Sequence, residues 1–145
     1  MINLKLIYKI IGSLLFIEAM MLVVCLGVSV YYHEDDLLAF ASSIAISAGT
    51  GLILRLFARN CDNNLSRRDA YLVVTLTWVV FSLFGTLPFL IGGYLHSFTD
   101  AFFETMSGFT TTGASIIDDV DILPHGILFW RSFTQWIGGL GIVFF

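Results

Sequence analysis

The stretch GFTTTGAS, from Gly108 to Ser115, is polar and uncharged, and it lies between two segments apolar enough for a lipid bilayer. Irregular backbone at membrane depth is tolerated only where protein or a water-filled cavity surrounds it, because lipid cannot satisfy its polar groups. Backbone carbonyls in such a loop can replace the hydration water of a cation. The stretch therefore predicts a pore loop, with an ordinary external loop built from turn residues as the alternative.

The composition of the chain is typical of a membrane protein. Of its 145 residues, 57% are hydrophobic and 12% are charged. The net charge of -4 and the absence of a basic patch with interleaved aromatics argue against nucleic acid as a partner. Cys25 lies in an apolar run and Cys61 in a basic loop, so we expect two free thiols. No nucleophile with a base at usable spacing and no phosphate-binding loop occurs, so we expect neither an enzyme nor a bound cofactor.

Four apolar segments predict membrane-spanning helices, since each is long enough to cross a hydrocarbon core of about 30 Å. They are Ile10 to Tyr32, Leu37 to Leu54 with a continuation toward Phe57, Ala70 to the IGGY at 91–94, and Gly126 to Phe145. Pro88 is expected to bend the third span and to leave a carbonyl that a neighbour must satisfy. Glu18 in the first span is interpreted as a packing or snorkelling residue, with a role in transport as the alternative.

The distribution of charged residues predicts the orientation of these spans. Arginines cluster between the second and third spans, and two lysines precede the first, so these regions and the N-terminus are expected to be cytoplasmic. The HEDD at 33–36 is then external. Neighbouring residues in a loop rarely converge on one ion, so we interpret it as a solvated acidic loop and not as a metal site.

Before the pore loop, the segment from Ser97 to Phe109 predicts a short amphipathic helix of about 18 Å, too short to cross the membrane. Ser97 and Asp100 form a possible capping pair at its start. Because the IIDDVD that follows the loop is acidic, the segment is expected to enter and leave on the external side. The apolar stripe of the helix consists of Phe98, Ala101, Phe102, Met106 and Phe109, with Asp100 and Glu104 on the other side.

A single charge, Arg131, lies in the last span. It is expected either to pair with Glu104 of the short helix, as a structural charge near the pore, or to snorkel outward, with a functional charge near the pore as the alternative. The alternative for Glu104 is a solvated acid on the external face of its helix. Pro124 is well placed for the first turn of the span. The WIGGLG at 136–141 predicts close helix packing.

The sequences FFETMSGFTTTGASI and LPHGILFWRSFTQWIGGLGIVFF resemble the Trk/Ktr/HKT superfamily of potassium-translocating proteins, and most of all the N-terminal portion of its TrkH/TrkG type. The resemblance is strong from about Thr99 to Phe145 and weaker before Ser97. It implies an all-α integral membrane protein with a leading transmembrane helix pair at 1–58 and a basic cytoplasmic loop at 59–69. Residues 70–145 would form the first of four helix–pore loop–helix units of a potassium-channel-like fold, with further sequence expected beyond Phe145.

The resemblance also implies potassium uptake across the cell inner membrane. Filter carbonyls would belong to Thr110, Thr111, Thr112 and Gly113, with potassium held above all at Thr111 and Thr112, and glycine at position 113 would favour potassium over sodium. Implied partners are a second copy, in a homodimer, and a cytosolic nucleotide-binding regulatory subunit. Whether transport is channel-like or a symport with protons or sodium is open. The alternative from another class is a non-transporting membrane scaffold whose re-entrant loop is an interaction surface.

Overall fold

The computed structural model describes residues 3–60 and 66–144, and in these ranges the chain is helical, with no strand. The helices are α1 (Leu4–Tyr32), α2 (Leu37–Phe57), α3 (Arg67–Gly85), α4 (Leu87–Ile91), α5 (Phe98–Phe109) and α6 (His125–Phe144). This confirms the all-α fold class.

Within the described ranges, three helices are long and apolar enough to cross a membrane: α1, α2, and α3 continued through α4 from Arg67 to Ile91. The first begins earlier than the predicted Ile10, because the Asn3 side chain accepts a hydrogen bond from the amide of Leu6 and caps the helix. The fourth predicted span corresponds to α6.

Helices α1 and α2 form a tightly packed hairpin. A Cβ atom built on Gly12 would lie 2.8 Å from the backbone oxygen of Gly51, and one on Gly51 would lie equally close to the oxygen of Gly12. The buried face of α2 consists of small residues along much of its length, including Ser43 and Ser47. Small residues allow the two backbones to approach this closely, as is common between membrane helices.

The third span breaks at Thr86, two residues before Pro88. The amide of Phe89 bonds to the carbonyl of Thr86 at 3.1 Å and not to that of Gly85. The Gly85 carbonyl instead accepts a hydrogen bond of 3.0 Å from the indole Nε1 of Trp130, which is fully buried. The helix is therefore interrupted next to Pro88, and a side chain of α6 satisfies the Gly85 carbonyl that the interruption leaves free. The carbonyl of Phe84, which faces the missing amide of Pro88, accepts from the amide of Thr86.

A single large apolar cluster holds the short helix α5 between the long helices. Phe109 at the end of α5 contacts Phe81 of α3, with ring centroids 5.5 Å apart, and Trp130 of α6, at 6.2 Å. Leu22 of α1 and Phe40 of α2 belong to the same cluster, and all five of these side chains are buried. This packing fixes the position of the polar segment that follows α5.

Candidate functional site

Helix α5 carries the site, and its buried face is more polar than the sequence pattern predicts. The buried residues are Ala101, Glu104, Thr105, Ser107, Gly108 and Phe109, whereas Phe98 of the predicted stripe is 52% exposed. Burial of Glu104 excludes the alternative of a solvated acid on an external face. The predicted capping pair is wrong, because the Ser97 side chain makes no capping hydrogen bond.

The C-terminal end of α5 lies beside the middle of the neighbouring long helices. The hydroxyl of Thr105 donates to the carbonyl of Ser82, in the second half of α3, at 3.0 Å. A Cβ atom on Gly138 of α6 would lie only 2.1 Å from the carbonyl oxygen of Phe109. The short helix therefore ends in the interior of the helical assembly, where its last carbonyls contribute a partial negative charge.

The segment after α5 is a turn whose backbone conformations change along the chain. Thr111 has a φ of 57° and Gly113 a φ of 74°, both in the left-handed region, while Thr110 has a φ of −82°. A positive φ is rare for a β-branched residue and requires support from its surroundings. Nothing in the sequence predicts it at Thr111, whereas glycine at position 113 suits the conformation.

Backbone hydrogen bonds to α5 hold this turn. The amides of Thr110 and Thr111 donate to the carbonyls of Met106 and Gly108, both at 2.9 Å, and the amide of Thr112 donates to the carbonyl of Ser107 at 3.0 Å. The hydroxyls of Thr110 and Thr112 lie 2.9 Å apart. The amides are thus directed back to the helix.

In the part of the chain that the structure describes, no backbone or side-chain group donates a hydrogen bond to the carbonyls of residues 110–113. The turn is partly accessible, with Thr112 and Gly113 exposed. Unpaired carbonyl oxygens beside the negative end of a helix can coordinate a cation that has lost its hydration water. The structure thus brings the four predicted filter residues together in one short turn.

Glu104 ties the chain that leaves the turn to α5 and α6. Its carboxylate accepts hydrogen bonds from the hydroxyl of Ser115 at 3.1 Å and from the amide of Ile116 at 3.1 Å, and the Nε of Arg131 donates to it. On the same side, the hydroxyl of Ser107 donates to the carbonyl of Ala114 at 2.6 Å. The pairing of Arg131 with Glu104 is present, while the contacts to residues 115 and 116 had no signal in the sequence.

A small polar cavity of about 10 Å³ lies between the turn, α5 and α6, and its lining includes Gln135. The Nε2 of Gln135 lies 3.5 Å from the position that a Cβ atom on Gly113 would take. Sequence reasoning missed this residue. Its spacing of four from Arg131, which places both on one face of α6, was the available signal.

The loop between α1 and α2 clasps the start of α6. Glu34 accepts hydrogen bonds from the amide of His125 at 2.9 Å, from the amide of Gly126 at 3.2 Å, and pairs with the His125 Nδ1 at 2.7 Å. Partial burial raises the pKa of Glu34, but these hydrogen bonds outweigh it and hold the pKa below its ordinary value. The ring of Tyr32 stacks on that of His125 at 4.0 Å.

Asp36 in the same loop is 1% exposed, and the hydroxyl of Ser29 donates to it. Burial raises its pKa above the ordinary value, despite that hydrogen bond. The interpretation of the HEDD at 33–36 as a solvated loop is therefore wrong for Glu34 and Asp36, because tertiary contacts bury and pair their carboxylates. In residues 3–60 and 66–144, no group of three or more His, Cys, Asp or Glu could hold a metal ion.

Two further residues singled out from the sequence lie away from this site. Glu18 is fully buried in α1, which excludes snorkelling. Cys25 is a buried free thiol. Cys61 lies outside the described residues.

Three comparisons relate the chain to known proteins. The model of the TrkH family, described as a cation transport protein, matches residues 37–145. The Trk system potassium uptake protein TrkH of Halomonas elongata is 39% identical over 142 residues, which are 97% of this chain and 30% of that protein. An uncharacterized cation transporter of Methanocaldococcus jannaschii is 36% identical over 137 residues, 94% of this chain and 28% of that protein.

The same relationship holds in three dimensions. The crystal structure of the potassium transporter TrkH from Vibrio parahaemolyticus superimposes with a TM-score of 0.91 at 37% identity, over 97% of this chain and 30% of that one. The chain thus spans about 30% of the length of the relatives that it matches.

Proposed function

Because the chain belongs to the TrkH family of cation transport proteins, we propose that it takes part in potassium uptake across the cytoplasmic membrane. The pathway would include the backbone carbonyls of Thr110, Thr111, Thr112 and Gly113, with potassium held above all at Thr111 and Thr112. The names of the relatives support the transported ion, and the multi-pass helical architecture supports the membrane location.

One observation carries the proposal for the site: the amides of the turn bond back to α5 while its four carbonyls have no donor among the described residues. A dehydrated potassium ion needs several oxygen ligands, and carbonyl oxygens can supply them without a charged side chain. The positive φ angles of Thr111 and Gly113 support this role, since such angles direct successive carbonyls away from the pattern of a helix or strand.

A single turn surrounds only part of an ion, so the remaining ligands must come from elsewhere. We propose that residues 70–145 form the first of four helix–pore loop–helix units, preceded by a leading helix pair at 1–58 and a cytoplasmic loop at 59–69. The open face of α5 supports this arrangement: Phe102, Phe103, Met106 and Thr110 line a surface pocket of about 290 Å³ beside the turn. A neighbouring unit would cover this face.

The orientation and the partners are proposals of the same kind. Basic residues before α1 and between α2 and α3 support a cytoplasmic N-terminus in the inner membrane. The proposal of a homodimer and of a cytosolic nucleotide-binding subunit rests on the family resemblance alone.

The proposal is tested by potassium and sodium uptake of the full-length protein with Gly113→Ser and Gly113→Asp. A Cβ atom at position 113 would meet only Gln135 Nε2, at 3.5 Å, so a side chain there causes no steric clash. The substitution instead strains the backbone, because its φ of 74° is unfavourable for residues other than glycine. We expect folded protein with reduced potassium uptake or altered ion preference. Gly49→Ala, on α2 with nothing within 4 Å of its Cβ position, is the control.

Unchanged potassium uptake and selectivity in both folded Gly113 variants would overturn the filter assignment. Absence of cation flux in the reconstituted wild-type protein would instead favour a non-transporting scaffold.

A further inference from the structure

Glu18 lies at the middle of α1, halfway between Leu4 and Tyr32, and its exposed fraction is 0%. At a rise of about 1.5 Å per residue, each end of the helix is roughly 20 Å away. This distance is far beyond the reach of a glutamate side chain, so the carboxyl group cannot extend to water at either membrane surface.

The carboxyl group of Glu18 also has no partner within the described residues. Neither Oε1 nor Oε2 accepts a hydrogen bond. Helices α2, α3 and α6 pack against α1. The charged or titratable groups on and beside these three helices either lie near a helix end or are already paired. These groups are Asp36, Arg55, Arg67, Arg68, Asp69, Tyr71, His125 and Arg131. On α1 itself, the one other buried titratable group is Cys25, an uncharged thiol two turns away.

A buried hydroxyl at the same depth does not change this. Ser47 of α2 is 0% exposed, and its Oγ has no hydrogen-bond partner. Counted from the hydrogen bond between Ser29 and Asp36 at the top of the hairpin, Glu18 and Ser47 lie equally far along the two antiparallel helices. Even so, the hydroxyl does not donate to the carboxyl group, so an anion at Glu18 would receive no stabilising hydrogen bond.

We propose that Glu18 binds a proton in the folded protein and remains a neutral carboxylic acid at the centre of the membrane. An ionised carboxylate without an ion pair or a hydrogen bond is among the least favourable groups to bury in an apolar interior. On folding, the carboxylate takes one proton from a hydronium ion of the solvent: the O–H bond of the acid forms, one O–H bond of the hydronium breaks, and water is left. The leading helix pair thus contains a proton-binding site that is separate from the turn at 110–113.

Infrared spectroscopy of the purified full-length protein tests this at neutral pH, with and without ¹³C labelling of the glutamate side-chain carboxyl. We expect a carbonyl stretch of a neutral carboxylic acid that shifts on glutamate labelling and disappears in Glu18→Gln. The matched control is Glu34→Gln, which removes a carboxylate held by hydrogen bonds outside the spans and should leave the acid band in place.

A second variant covers the case in which Glu18→Gln does not fold. Glu18→Asp keeps an acid at this position, and its band should stop responding to glutamate labelling and respond to labelled aspartate. If the folded wild-type protein shows no glutamate-sensitive acid band at neutral pH, the proposal is overturned. This measurement does not depend on any variant. An acid band that persists unchanged in folded Glu18→Gln would overturn it as well.

Discussion

Glu104 of α5 and Arg131 of α6 form an ion pair directly behind the turn at 110–113. Only 2% of the Glu104 side chain is exposed, so its carboxylate is shielded from water, while the Arg131 side chain is partly buried at 29% exposed. The same carboxylate holds the hydroxyl of Ser115 and the amide of Ile116. One buried acid therefore links the two helices to each other and to the chain that leaves the turn.

Glu104→Gln should destabilise the protein by about 3 kcal/mol, because Arg131 then lacks its counter-charge in a largely buried position. We also expect reduced ion uptake, since the turn loses its support. Thermal unfolding and uptake assays measure the two effects. The exposed Asp118, replaced by Asn, is the control and should change neither.

The double variant Glu104→Gln with Arg131→Gln measures the interaction energy between the two charges, apart from their interactions with other residues. Its loss of stability should be smaller than the sum of the two single losses, because the first substitution already removes the interaction. Strictly additive losses would show that the two charges do not interact energetically.

Gly138→Ala should lower the free energy of unfolding by about 3 kcal/mol or prevent folding. The added methyl group would lie 2.1 Å from the carbonyl oxygen of Phe109, which is backbone and cannot rotate away. Gly139→Ala is the matched control one residue along α6. Its nearest contact is the methyl group of Thr111 at 3.8 Å, so stability should be unchanged or slightly higher. Equal stability of the two variants would contradict this account of the α5–α6 contact.

Trp130→Phe should cost roughly 1–3 kcal/mol, because it keeps most of the aromatic packing but leaves the buried carbonyl of Gly85 without a donor. Chemical denaturation measures the difference. The same substitution at Trp136, which is 61% exposed, should have little effect. If both substitutions cost the same, the hydrogen bond at the Pro88 break contributes nothing to stability.

Glu34→Gln should remove a pH-dependent part of the stability. The pKa of Glu34 is lowered in the folded protein, so its contribution is fully present above the ordinary value of 4.5 and is lost as the pH falls through the lowered folded value. The wild-type protein should therefore be more stable than Glu34→Gln near neutral pH, by about 2 kcal/mol, and the difference should shrink in acid. Melting curves over this range test it, with Asp35→Asn, an exposed neighbour, as the control. A difference that does not change with pH would contradict it.

The sequence was sufficient for the features that depend on local pattern. Continuous apolar runs predicted α1, α2 and the third span, and the proline at 88 predicted the break in the last of these. The short helix at 98–109 was predicted with its bounds correct to one residue, since its apolar residues recur at helical spacing. The pairing of Glu104 with Arg131 could be anticipated because few charges were available near the last span.

The remaining features depend on contacts between distant parts of the chain. Nothing in the local sequence of the HEDD at 33–36 shows that Glu34 reaches the first amides of α6, or that Asp36 is buried against Ser29. Thr111 adopts a backbone conformation that its residue type disfavours, because the hydrogen bonds to α5 and the packing of α6 impose it. Such features follow from the assembled helices and leave no periodic signal in the sequence.

The clasp between Glu34 and the start of α6 has a consequence for biosynthesis. Its acceptor precedes its principal donor, the amide of His125, by 91 residues. Ribosomes make the chain from the N-terminus, so the α1–α2 hairpin and its loop leave the ribosome long before α6 does. The carboxylate that accepts the first amides of α6 is therefore synthesised well before that helix, and an early part of the chain supplies the acceptor that anchors a much later one.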